Sequence, residues 1–362
     1  MIGLYCSNAY HGSRAANYVQ TINTALGLGT HLDNLEVVVR GTNLRSSTES
    51  ISKNVVIRTL YGARGKLGGG IFLVLTILQL VKIKMMSLVH GKQSFVFVRN
   101  IYAGFLTPLL LIDFRAIELH TLPSFIQLKL LKIYLSLGNS KIIVITQALK
   151  DDIAIALDID LTGLCIVVAD AHNASKNYSE QALSQREKGS NHELKIAYFG
   201  SLNTYKGSEL LFEIIRNTNF HVDIYTKDTK SIPNDILEKC KSGYVEHNQV
   251  QNIMLDYDVT FLFLNQTGLA DDVSKYTSPL KLFECLAAGL IVICSDCEVL
   301  REVVDDSSVI FVENDARRVV DELHSLRADT VRRKALAKAA ITVSLEHTYD
   351  SRSSSIFHFV QS

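Results

Sequence analysis

The chain alternates short, continuous apolar runs with longer stretches in which apolar residues recur every three or four positions. The runs Ile2–Cys6, Leu35–Val39, Asn54–Ile57, Ser94–Arg99, Ile112–Leu119, Lys141–Ile145 and Leu164–Val168 are short and mostly apolar, which predicts strands. Ala15–Leu26, Ile126–Leu137 and Gln147–Leu157 have helical spacing, so the first half reads as β and α units around a parallel sheet. The pattern restarts with a strand at Leu194–Phe199 and a helix at Ser208–Arg216, then strands at His221–Tyr225, Gly243–Val245 and Val259–Leu264. Residues 279–288 predict a short helix and Leu290–Cys294 a buried strand. Helices are expected over Glu298–Val304, Asp315–Arg327 and Thr330–Glu346, and near Ser351–Val360. The polar run Asn173–Glu193 reads as a linker. It sets a boundary near residue 190, with domains over 1–190 and 191–346 and a final helical segment over 347–362.

Ile71–Val81 is the most apolar stretch, broken by Thr76 and Gln79 and followed by Lys82 and Lys84. Eleven residues fall short of the about 20 that span a bilayer. The run predicts a core helix of the first domain. An interfacial helix, with Lys66, Lys82, Lys84 and Lys92 against anionic lipid, is the alternative. The glycines of Gly62–Gly70 predict an ordered connection with tight turns.

Hydrophobic residues make up 47% of the 362, enough for two cores. Lys plus Arg and Asp plus Glu balance at 37 each, so no nucleic-acid partner is expected. Six scattered cysteines suit reduced thiols, and a start directly in an apolar strand without a basic leader adds to the expectation of a cytoplasmic protein. Cys294 and Cys297 form a C-x-x-C, but it ends a buried strand and has no second pair. Asp158-Ile159-Asp160 could hold a divalent ion on a diphosphate, yet its position beside Thr162-Gly163 predicts a solvated turn. Neither metal nor cofactor is expected.

The candidate chemistry sits at two strand-to-helix turns of the second half. In Thr277–Asp296, Ser278 suits an N-cap, Pro279 the first helical position and Gly289 the helix end. The amides of Leu280 and Lys281 would then face an anion such as a phosphate. Lys281 and Glu284 share a face of that helix. In Gly200–Gly207, Lys206 lies where a strand feeds a helix and can reach a phosphate held there.

These two motifs resemble the donor-binding motifs of family 4 retaining glycosyltransferases. That family has the GT-B fold, in which two Rossmann-like, doubly wound parallel-sheet α/β domains face a cleft. The resemblance implies that Glu284 bonds the ribose of a nucleotide-diphosphate sugar. Ser278, Pro279, Leu280 and Lys281 would hold its phosphates, and Gly200 and Lys206 the diphosphate. Two places depart from the family. Tyr276 stands where a first Glu often lies near the transferred sugar, and Ser201 where an Arg is common. Lys281 or Arg99 would have to supply that second cation. In the first domain, Gly12 and Ser13 occupy the loop that approaches donor and acceptor, and His120 follows a strand at the place of a His near the transferred sugar. Glu118 shares its side of the chain.

The function so implied is retaining sugar transfer from a nucleotide-diphosphate sugar to an acceptor hydroxyl. The acceptor would be a sugar or lipid-linked glycan of bacterial surface polysaccharide or glycolipid assembly, with peripheral contact at the inner face of the membrane. A nucleotide-sugar epimerase of the same fold and a catalytically inactive partner subunit are the alternatives.

Overall fold

The computed structural model describes residues 1–13, 16–188, 193–265 and 275–362, with the backbone alone at 16, 188, 247 and 248. Residues 14–15, 189–192 and 266–274 fall outside these residues. The chain divides into two units, Met1–Ala169 with Tyr349–Ser362, and Asp170–Thr348.

The first unit runs β1 (Ile2–Tyr10), α1 (Ala16–Gly29), β2 (Asn34–Gly41), β3 (Ser47–Ser50), β4 (Val55–Tyr61), α2 (Lys66–His90), β5 (Ser94–Val98) and α3 (Ile101–Leu106). It continues with β6 (Phe114–Leu119), α4 (Phe125–Ser136), β7 (Ser140–Val144), α5 (Gln147–Leu157) and β8 (Cys165–Val167). The strand order is β3-β4-β2-β1-β5-β6-β7-β8, parallel except for the β3–β4 edge. Phe95, Val96, Phe97 and Val98 are all fully buried, as befits a strand covered on both faces. The exposed, all-polar β3 carries no apolar signal, and the sequence reading misses it.

The glycine-rich stretch is a connection only over 62–65, where Gly65 turns with φ +98°. Helix α2 begins at Lys66 and runs 25 residues to His90, and Gly68 lies against the Ala63 backbone where a Cβ would collide. It is long and apolar enough to cross a membrane by length and composition, with 28% of its most apolar window buried. The eleven-residue limit is thereby overturned.

The second unit runs α6 (Lys176–Lys188), β9 (Ile196–Phe199), α7 (Ser208–Asn217), β10 (Val222–Tyr225), α8 (Asn234–Leu237), β11 (Ser242–Gly243), α9 (His247–Met254) and β12 (Val259–Leu262). After these come α10 (Leu280–Ala287), β13 (Ile291–Ser295), α11 (Glu298–Arg301), β14 (Ile310–Val312), α12 (Ala316–Ala328) and α13 (Thr330–Ser344). Its strands form a parallel sheet in the order β11-β10-β9-β12-β13-β14. The unit boundary lies at 169/170 rather than near 190, because the polar run is not a linker. It holds α6, whose Tyr178 and Ala182 enter the core while Arg186 donates to the carbonyls of Met254 and Ala288, both at 3.1 Å.

The last helix, α14 (Tyr349–Gln361), packs on α1 and β6 of the first unit, burying Ile356, Phe357 and Val360.

Candidate functional site

In the second unit, β9 ends at Phe199 and Gly200 donates its N–H to the carbonyl of Tyr225 at 3.0 Å. A single 3-10 turn, Thr204–Lys206, follows, capped by the Asn203 side chain, which accepts from the Lys206 amide at 3.2 Å. Gly207 then turns the chain into α7 with φ +63°. Its lack of a side chain is required twice over, since a Cβ there would stand 2.5 Å from Cβ of Phe263. The turn fixes Lys206, whose Nζ donates to Oγ of Ser201 at 3.0 Å.

The second motif arrives at the same place. Lys281, in the first turn of α10, lies close enough to Lys206 for its charge to act there. Burial first, and Lys281 second, pull the Lys206 ammonium below its ordinary pKa. Lys281 Nζ donates to Oε2 of Glu284 at 2.6 Å. Burial pulls Lys281 down, but the Glu284 carboxylate outweighs it and holds the ammonium above its ordinary value. Lys206 follows β9 and Lys281 lies in the helix that follows its neighbour β12, so both stand beyond the carboxyl ends of adjacent strands, and the first amides of α10 have no intrahelical acceptor. Ammonium groups and helix N–H groups are the kinds of donor that bind a multiply charged anion.

The details of the helix start differ from expectation. Pro279, with ψ 101°, is the cap residue and α10 begins at Leu280. Ser278 is not the N-cap, because its Oγ is 2.8 Å from the backbone N–H of Asp170 and accepts from it. Tyr276 is 7% exposed, with the Lys275 ammonium 5.6 Å from its ring centre. At the end of β13, burial raises the pKa of both the Cys294 and Cys297 thiols, the reverse of a reactive pair. In the first unit, Asp160 accepts from the backbone and hydroxyl of Thr162 at 2.8 and 2.7 Å, so the D-x-D closes an exposed turn.

His120 follows β6 in the first unit, on the rim of a cavity of about 370 Å³ lined by polar groups of Asn8, Asn17, Asn100, Thr121 and Gln127. Gly12 and Ser13 sit on the loop after β1 and do not line it. Behind His120, Glu118 lies on the expected side but at the centre of a charge cluster whose arginines, Arg99 and Arg352, sequence reasoning did not pair with it. The Glu118 side chain is fully buried and accepts from Nε of Arg99 at 2.5 Å and from Nη2 of Arg352. Its Oε1 is also 3.3 Å from Nε2 of His120. Burial pushes the carboxyl up, but Arg99, Arg352 and His120 together hold it well below the usual carboxylate range. Arg352 further donates to the carbonyl of Ala169 and to Oγ1 of Thr24, each at 3.1 Å. Arg99 is therefore committed to Glu118, and Lys281 is the residue that joins Lys206. A signal for Arg352 does exist in the sequence: it stands four residues before Ile356, on the buried face of α14.

Residues 206–358 match a family model described as glycosyl transferase-like. No curated protein matches the sequence. Among solved structures, sucrose-phosphate synthase from Thermosynechococcus elongatus aligns at TM-score 0.67 and 12% identity over 99% of this chain and 98% of that one. A glycosyltransferase from Rickettsia africae aligns at 0.66 and 13%, over 99% and 97%. The Anabaena protein HepE in complex with UDP aligns at 0.63 and 12% over the full length of both chains, and is also solved with UDP-glucose. The two parallel-sheet units are those of the GT-B fold, and the matched C-terminal region is glycosyl transferase-like.

Proposed function

We propose that the protein is a retaining glycosyltransferase that moves a sugar from a nucleotide-diphosphate sugar to an acceptor hydroxyl. The observation that carries this reading is that Lys206 and Lys281 follow the neighbouring strands β9 and β12 of the GT-B-like second unit, near enough for the charge of Lys281 to act on Lys206. As a glycosidic bond to a diphosphate breaks, negative charge gathers on the leaving group, and donors already aimed at it lower the barrier. Lys206, Lys281 and the amides of Leu280 and Lys281 take that role. Glu284, at hydrogen-bond distance from Lys281, takes the ribose hydroxyls. His120, set beside Glu118 in a cavity rich in amide and hydroxyl groups, suits the sugar and acceptor side. No protein nucleophile is assigned, and no metal or cofactor is assigned. A lipid-linked glycan or other surface-polysaccharide precursor is the proposed acceptor class. HepE is solved with UDP and glucose as well as UDP-glucose, so uridine nucleotides are the first donors to try.

The test is incubation with a panel of nucleotide sugars and glycan acceptors, with released nucleoside diphosphate as the readout and the product anomer read by NMR. Transfer with retained configuration is expected. Lys206→Ala should slow it by about 10²–10³, the loss seen when one preorganised donor is removed. Full activity in that variant would remove Lys206 from the mechanism, and interconversion of a donor sugar without acceptor would identify an epimerase instead.

A further inference from the structure

Helix α2 is apolar on both of its faces. Toward the sheet it buries Gly68, Phe72, Thr76, Leu80, Ile83 and Ser87. Toward the outside it presents Leu67, Ile71, Val74, Leu78, Val81 and Met85, each 36–81% exposed and spaced alternately by four and three. Leu88 continues the series at 64%. A helix in water puts its larger aliphatic residues inward. Helices α2, α3 and α4 pack against one another in that order, and exposed Tyr102 on α3 and Phe125 and Ile126 on α4 extend the apolar surface.

The first unit is rich in cations: Lys82, Lys84 and Lys92 pair with Glu36, Asp113 and Asp33, while Arg64 and Lys66 are exposed at the amino end of α2. Between Glu49 and Asp113 the sequence has no carboxylate but eight Lys and Arg. The first unit as a whole carries 17 Lys and Arg against 10 Asp and Glu, net +7, whereas the second carries 20 against 27, net −7. The neutral total conceals this separation.

From this we infer that the outer face of α2 is a docking surface for an anionic phospholipid bilayer, on which the helix lies in the interfacial plane. It does not span, because Phe72, Leu80 and Ile83 on its other face are 3% exposed or less and pack toward the sheet. A second copy of the chain is a poorer occupant. It would set one +7 unit against another, with no carboxylates along α2 to form interhelical pairs. Aliphatic side chains enter the acyl boundary while flanking cations meet lipid phosphates. This inference is independent of which reaction the protein catalyses.

The experiment is co-sedimentation of the full chain with phosphatidylcholine vesicles, with and without phosphatidylglycerol. Binding is expected only with the anionic lipid. The pair Val74→Glu and Leu78→Glu, at positions 58% and 57% exposed, should weaken it on the order of tenfold or more without moving the thermal midpoint. The pair Arg64→Gln and Lys66→Gln should cost about fivefold per cation removed. The chain has no tryptophan, so Leu78→Trp gives a single reporter. Its emission should shift blue and be quenched by brominated lipid, while Val331→Trp, at a site 78% exposed in the second unit, should not respond. Wild-type protein left in the supernatant with anionic vesicles, or a Leu78→Trp reporter blind to brominated lipid, would overturn the proposal. So would a lipid-free dimer that Val74→Glu and Leu78→Glu converts to monomer.

Discussion

Replacing Arg352 by Gln tests whether the last helix holds the His120 region through a buried charge rather than by apolar packing alone. The Arg352 side chain is 2% exposed and the Glu118 carboxylate 0%, so water cannot screen their interaction or replace it after substitution. The change removes a guanidinium that bonds Glu118, the Ala169 carbonyl and Thr24. Breaking one side of a buried ion pair costs about 3–5 kcal/mol. Arg99 still holds Glu118 in the variant, which places the expected loss near the lower figure. At about 2–4 °C per kcal/mol for a unit of this size, the transition of the first unit should fall by roughly 6–12 °C. The assay is thermal unfolding followed by circular dichroism, run as a cycle with Glu118→Gln. The two substitutions share one contact and should be non-additive by about 1–3 kcal/mol. A loss below about 1 kcal/mol, or strict additivity, would refute the reasoning and leave α14 held by Ile356, Phe357 and Val360.

Glu284→Ala should weaken nucleoside diphosphate binding by about tenfold or more, measured by calorimetry, and unchanged affinity would remove the ribose role. Gly207→Ala forces a side chain into a left-handed residue and against Phe263, so it should destabilise the second unit by about 1–2 kcal/mol for the backbone alone, read as a lowered urea midpoint. Acid should weaken the first unit through Glu118. Its folded pKa is depressed, so its stabilising contribution is complete above the unfolded value of about 4.3 and is lost as pH falls below it. Thermal midpoints between pH 7 and 3 should show this decline in the wild type and a shallower one in Glu118→Gln.

Both sheets were legible because a parallel strand covered on two faces must be almost wholly apolar, as at Phe95–Val98 and Ile291–Ser295. Lys206 and Lys281 were legible as residues at strand-to-helix turns, where helix amides open toward a ligand. What failed was inference from local polarity. The run around Tyr178 looked like a linker because α6 is mostly polar and more than half of its residues are exposed, although Tyr178 and Ala182 are core. The outer face of α2 looked like core because its composition is apolar, and only its packing reveals which side is turned out. The contact of Arg352 with Glu118 spans 234 residues of sequence and has no local signature beyond an arginine on an apolar face. Ser278 shows a further limit: the hydroxyl that would cap α10 is taken by Asp170, 108 residues away.

The decisive property of the protein is whether Lys206 and Lys281 grip a diphosphate. Calorimetric titration of UDP, GDP and ADP into the wild type and Lys206→Ala decides it. At least one nucleotide should bind the wild type, with affinity falling by about tenfold or more in the variant, as expected when a charge-assisted contact is lost. Failure of all three to bind, or equal affinity in both proteins, would contradict it.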